Sequence, residues 1–171
     1  MARIQRRQIG TNALYDNGSN TAKELDEVRA GEARLHTASG PASVPAGARV
    51  ASLTGRSCGL HWALRRNAHL GAMVIVRRHG FSNDQWIIEG TNLLTLRYTE
   101  PGVFAADSSQ IVRPTGCRAG GWWIDRALRV WPRDKFDYIW LIDPPPYDEK
   151  LAAGMRPVWR GPDSVLYQVK P

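Results

Sequence analysis

Phe136-Asp-Tyr-Ile-Trp-Leu-Ile142, followed at once by Asp143-Pro-Pro-Pro146, is the stretch on which the reading of the fold turns. From Tyr138 to Ile142 every side chain is apolar, the pattern of a short strand buried on both faces. The prolines after Asp143 lack the N–H that a ladder needs, so the strand stops at the aspartate. Such a strand needs strands beside it and layers above and below it. Ala48-Arg-Val-Ala-Ser-Leu53, ended by Thr54-Gly55, supplies one neighbour, and Pro157-Val-Trp159 with Ser164-Val-Leu-Tyr-Gln-Val169 reads as a closing hairpin around Gly161-Pro162.

The covering helices are weaker signals. Asn67 to His79 has the composition of either a strand or a helix. The spacing of Leu70, Met73, Val74 and Arg77 favours a helix. A second helix is expected from Gly121, with Trp123, Ala127, Val130 and Trp131 on its apolar face and Pro132 limiting it. Thr21 and Glu24 have capping-box spacing for a helix near the start, and Tyr147 to Gly154 suits a short one. Leu93-Leu-Thr-Leu-Arg-Tyr98 reads as a strand, Phe81-Ser-Asn-Asp-Gln-Trp86 as a loop, and 99–117 as largely irregular. Strands alternating with helices predict an α/β fold, a small layered domain with a mixed sheet covered by helices and a C-terminal β-hairpin. The expected organisation is a flexible leader over 1–20 and a single α/β domain over 21–171.

The chain has 171 residues, 43% hydrophobic and 23% charged, which suits one domain with a substantial core. No run approaches the ~18 apolar residues of a membrane helix, and the basic start is followed by no apolar segment of the secretory type. Of 23 basic side chains 19 are Arg, for a net charge of +7. They are dispersed, with only the pairs Arg6-Arg7, Arg65-Arg66 and Arg77-Arg78, so no nucleic-acid arm is formed.

Several constellations bear on chemistry. Cys58 and Cys117 each lie in a glycine-flanked loop, as a loop-to-loop disulfide would require; in a reducing compartment they would be free thiols. Cys58-x-x-His61, with His69 and His79 beyond it, is half of a zinc-ligand pattern, and without a second pair no metal is expected. No phosphate-loop or dinucleotide fingerprint occurs, and no cofactor is expected. Asp134, Asp137 and Asp143 flank the central strand, and Asp143 stands where open α/β sheets keep their ligands; turn chemistry explains the same residues. Trp123, Trp131, Trp140 and Trp159 fall on apolar faces, whereas Trp62 and Trp86 sit in polar loops suited to a binding edge.

Across residues 45–170 an ordered set of segments resembles the soluble C-terminal region of bacterial polytopic membrane proteins of the glycosyltransferase-like, lipid-linked-sugar type. The segments are Pro45-x-Gly47-Ala-Arg-Val50, Gly55-x-x-Cys58, His69-Leu-Gly-Ala-Met-Val-Ile-Val-Arg-Arg78, Phe81 to Trp86, Phe136 to Asp143, Pro157-Val-Trp-Arg160 and Ser164-Val-Leu-Tyr167. The resemblance implies a small α/β domain on the periplasmic face of the membrane. These residues include none of the family's membrane helices and so not their catalytic acidic loop; in a split or truncated relative, Met1 to Asn20 would take the place of the membrane anchor.

The expected role is accordingly a non-catalytic or accessory domain that binds a glycan or lipid-linked acceptor, with a membrane-embedded partner. Asp84, Gln85, Trp86 and Asp143 are its candidate site, and Arg77 and Arg78 are available to anions. A chain made alone without an export signal would instead be cytoplasmic. Two alternatives stay open: a basic nucleic-acid-binding module, whose affinity would fall with salt, and a small hydrolase using Asp143, or Cys58 with His61.

Overall fold

The computed structural model describes residues 41–59, 67–88, 90–91 and 95–169. The leader, the Thr21 helix, His61 and Trp62 lie outside the described residues. The molecule is the expected α/β domain with a mixed sheet. In chain order the strands are β1 (Arg49–Gly55), β2 (Phe81–Ser82), β3 (Ile111–Arg113), β4 (Trp122–Trp123), β5 (Tyr138–Ile142), β6 (Arg156–Gly161) and β7 (Ser164–Gln168), and the α-helices are α1 (Ala72–Arg78) and α2 (Ile124–Val130). The sheet order is β4-β3-β1-β5-β7-β6, with β2 paired to β1 off this path. Strands β1 to β5 run parallel where they pair, and β7 and β6 add an antiparallel hairpin to the β5 side.

Strand β5 is central and all five of its residues are buried. Its alternating side chains feed two cores. Ile139 and Leu141 join Ala51, Leu53, Val112, Val165 and Tyr167 under α2. Tyr138, Trp140 and Ile142 join Val50, Val74 and Leu166 under α1. Period-2 alternation on a sheet covered on both faces is what makes the sequence run continuously apolar.

Three expectations need correction. Helix α2 buries Ile124, Ala127 and Leu128, with Trp131 following at the next helical step, rather than the face through Trp123 and Val130. Trp123 belongs to β4 and is 40% exposed, and Val130 is exposed as well. The rotation follows from spacing, since Ile124, Ala127, Leu128 and Trp131 fall at i, i+3, i+4 and i+7. Phe81–Ser82 is a strand rather than a loop, because its backbone completes the edge of β1. Residues 95–98 form no strand. Tyr98 instead packs edge-on against Phe81 and sends its hydroxyl to the Lys135 carbonyl.

The carboxylates around β5 are separated rather than paired. Asp137, at its amino end, accepts from the Arg49 backbone at 2.8 Å and from Arg49 Nε and Nη2 at 3.1 and 2.6 Å, which clamps β1 to β5. This carboxylate lowers the acidity of the guanidinium further. Asp143 stands at the other end of the strand. Asp134 is exposed, 3.5 Å from Lys135.

Candidate functional site

The sheet places one polar cluster where its parallel strands end. Strand β2 leaves β1 after the Val50–Ser82 pair, and β3 takes over only at Thr54–Ile111. Between these pairings the β1 backbone needs other partners. Ser52 N–H donates to Asn83 Oδ1 at 2.7 Å, and Thr54 N–H donates to the Gln110 carbonyl at 2.6 Å. Asn83 Nδ2 in turn donates to Ser109 Oγ at 3.0 Å, and that hydroxyl donates to the Ala106 carbonyl at 2.6 Å. Ser52, Ser82, Asn83, Ser109 and Gln110 are all buried, so these bonds replace water that cannot enter.

Asp84 continues this seam into the start of α1. Its Oδ2 accepts the Ala72 N–H at 2.9 Å, satisfying an amide at the helix start. Its Oδ1 faces His69 Nδ1 at 3.1 Å and Gln110 Nε2 at 3.5 Å, and the same Gln110 amide also bonds Asp107. Burial raises the Asp84 pKa, and the bonds from His69 and Ala72 oppose that shift. Gly71 lets the two layers meet, because a Cβ there would lie 2.6 Å from Ser52 Oγ. His69 is the outward end of the cluster, its side chain 70% exposed against 2% for Asp84.

Asp143 closes the neighbouring corner. It adopts a positive φ of 45°, its N–H donates to the Asp163 carbonyl at 2.6 Å, and its carboxylate bonds Asn67. Partial burial, reinforced by the charge of Asp163, raises its pKa. Gly55 has no room for a side chain, since a Cβ would overlap the Asp143 carbonyl. Asn67 thus ties the end of β5 to the segment that leads through His69 into α1.

The loop 83–86 turns its polar side chains inward. Gln85 Nε2 donates to the Ser82 carbonyl at 2.9 Å, and the Gln85 carbonyl accepts from Asp107 N–H at 3.1 Å. Trp86 emerges from this anchored loop 61% exposed. Arg77 and Arg78 lie elsewhere. They end α1, where Gly47 N–H donates to the Arg78 carbonyl and Arg78 Nη2 donates to the Ala42 carbonyl at 2.6 Å. Helix α1 runs antiparallel to β1, so its last turn sits over the start of the strand, away from Asp84.

Cys58 and Cys117 form a disulfide, with their Cα atoms 5.6 Å apart. A thiol nucleophile at Cys58 is thereby removed from the hydrolase alternative. Arg113 ties the same two loops, donating to the Ser57 carbonyl at 2.6 Å and the Gly120 carbonyl at 2.8 Å. Among the described residues no three His, Cys, Asp or Glu are grouped so as to hold a metal ion. None of the described helices is long and apolar enough to cross a membrane.

Sequence reasoning missed Asn67, Asn83, Ser109 and Gln110, and took His69 only as a remote zinc ligand. The available signal was Ser52 and Thr54, polar positions inside an apolar strand that require polar company. Comparison with protein-family models, curated proteins and solved structures returns no match.

Proposed function

We propose that this chain is an accessory, ligand-binding domain that presents Trp86 to a glycan or a lipid-linked sugar acceptor, in partnership with a membrane-embedded protein. The observation that carries the reading is the Trp86 indole, 61% exposed on a loop whose neighbours Asn83, Asp84 and Gln85 are all bonded inward. An aromatic face held this way stacks on the apolar face of a sugar ring with little ordering cost at the moment of binding. The sequence resemblance supports the ligand class. The Cys58–Cys117 disulfide supports an oxidising, extracytoplasmic setting, since cytosolic reductants keep such pairs open.

Titration with neutral oligosaccharides and with polyprenyl phosphate in detergent, followed by tryptophan fluorescence, tests the role. Saturable binding that weakens at least tenfold in Trp86→Ala is the expected result. No binding of either ligand at millimolar concentration would overturn it. Binding of single-stranded DNA that weakens steeply with salt would favour the nucleic-acid reading instead.

A further inference from the structure

We propose that His69 is a proton-transfer residue, positioned as a base by the buried carboxylate of Asp84, in a site at the carboxyl edge of the sheet that hydrolyses a neutral carboxylate ester. This activity goes beyond the binding role above and does not rest on it.

The geometry has three parts. Above its raised pKa the Asp84 carboxylate only accepts hydrogen bonds, and in that state the ring nitrogen facing it, Nδ1, carries the proton and the lone pair is left on Nε2. Capping α1 needs only Oδ2, through Ala72 N–H; the contact between Oδ1 and His69 is additional to what the helix requires. Gln110, 1% exposed, lies beside the carboxylate, its Nε2 bonded to Asp107 and 3.5 Å from Asp84 Oδ1. Its Nε2 faces Asp107 and Asp84, whose carboxylates only accept, and its Oε1 is buried with no hydrogen-bond partner among the described residues. A base and the buried carboxylate that orients it form the arrangement general-base catalysis needs.

The surroundings select the substrate class. Asp107 lies against Gln110, Asp143 is bonded to Asn67, and Asp163 stands beside Asp143. A phosphoester would meet these carboxylates as a like charge, whereas a neutral acyl ester would not. In the step proposed, Nε2 takes a proton from water as the water oxygen bonds to the ester carbonyl carbon and the C=O π pair moves to oxygen. Collapse of that intermediate breaks the bond to the alkoxy oxygen, which receives the proton back from Nε2. The products are a carboxylic acid and an alcohol, and water is the sole co-reactant.

The test uses 4-nitrophenyl acetate and 4-nitrophenyl phosphate with the full chain. Wild type is expected to hydrolyse the acetate with a kcat/KM at least tenfold above His69→Gln, a substitution at an exposed side chain that leaves the fold intact. Its rate is expected to exceed that of equimolar free imidazole. Asp84 is a positioning residue, so Asp84→Asn, checked for folding by circular dichroism, is expected to move the pH profile of the remaining rate. A wild-type to His69→Gln ratio below tenfold, or a rate no higher than imidazole's, overturns the site. An unmoved profile in Asp84→Asn overturns the positioning role, and preferential cleavage of the phosphate overturns the substrate class.

Discussion

Gly71 and Asp84 show how single residues set the corner where α1 meets β1. Gly71 has an ordinary helical φ of −56°, so its glycine is required by space rather than by backbone conformation. An added Cβ would stand 2.6 Å from Ser52 Oγ and 3.0 Å from Ser82 Oγ. Gly71→Ala is therefore expected to destabilise the fold by about 1–3 kcal/mol, the usual cost of overpacking, measured by urea denaturation. Asp84 makes a prediction about pH. Because burial raises its folded pKa, the protonated form is favoured by folding, and stability is expected to fall as pH rises through the folded value. Asp84→Asn keeps an acceptor for Ala72 N–H and has no charge to bury. Denaturation midpoints measured across the acid range should decline with rising pH more steeply in wild type than in the variant.

At the scale of elements, the edge of β1 is shared by two short strands joined by a polar seam. Ser52 N–H depends on one side-chain amide, so Asn83→Ala is expected to cost about 1–3 kcal/mol, the penalty for an unpaired buried donor. Amide exchange at Ser52 should quicken while that at Leu166, in β7 beyond the central β5, stays slow. This seam is also where sequence and structure part. The central run Tyr138 to Ile142 was readable because both faces of β5 are covered and every position had to be apolar. The hairpin was readable because Gly161-Pro162 punctuates two apolar runs. Strands β2, β3 and β4 have two, three and two residues, too short to show any periodicity, and their existence depends on what β1 offers them. In the same way Trp86 and Asp84 stood out as a binding edge by residue type. The alliance of Asp84 with His69, 15 residues away, and with Gln110, 26 residues away, is created only because the segments leading into α1 and into β3 meet beside β1.

Over the whole molecule, the carboxyl edge is held by two ties that act on the same pair of loops. The disulfide joins residues 59 apart, linking the loop after β1 to the one before β4. Removing a crosslink of this kind costs about 2–4 kcal/mol, mainly by releasing the unfolded chain. Arg113, nearly buried between these loops, bonds the carbonyls of Ser57 and Gly120, while Arg56 N–H donates to the Val112 carbonyl. The native loops thus retain a polar tie when the sulfurs are parted, so reduced protein is expected to remain folded, less stable by that amount and with α2 still docked. Arg113→Met in the oxidised protein strands two carbonyl acceptors but leaves the crosslink. With both ties absent, the loops after β1 and before β4 are expected to separate. A double-mutant cycle of Arg113→Met against Cys58→Ser with Cys117→Ser, read by chemical denaturation, should therefore show a combined loss larger than the sum of the two single losses. Strict additivity would mean that the crosslink acts on the unfolded chain alone and that Arg113 holds the native loops without its help.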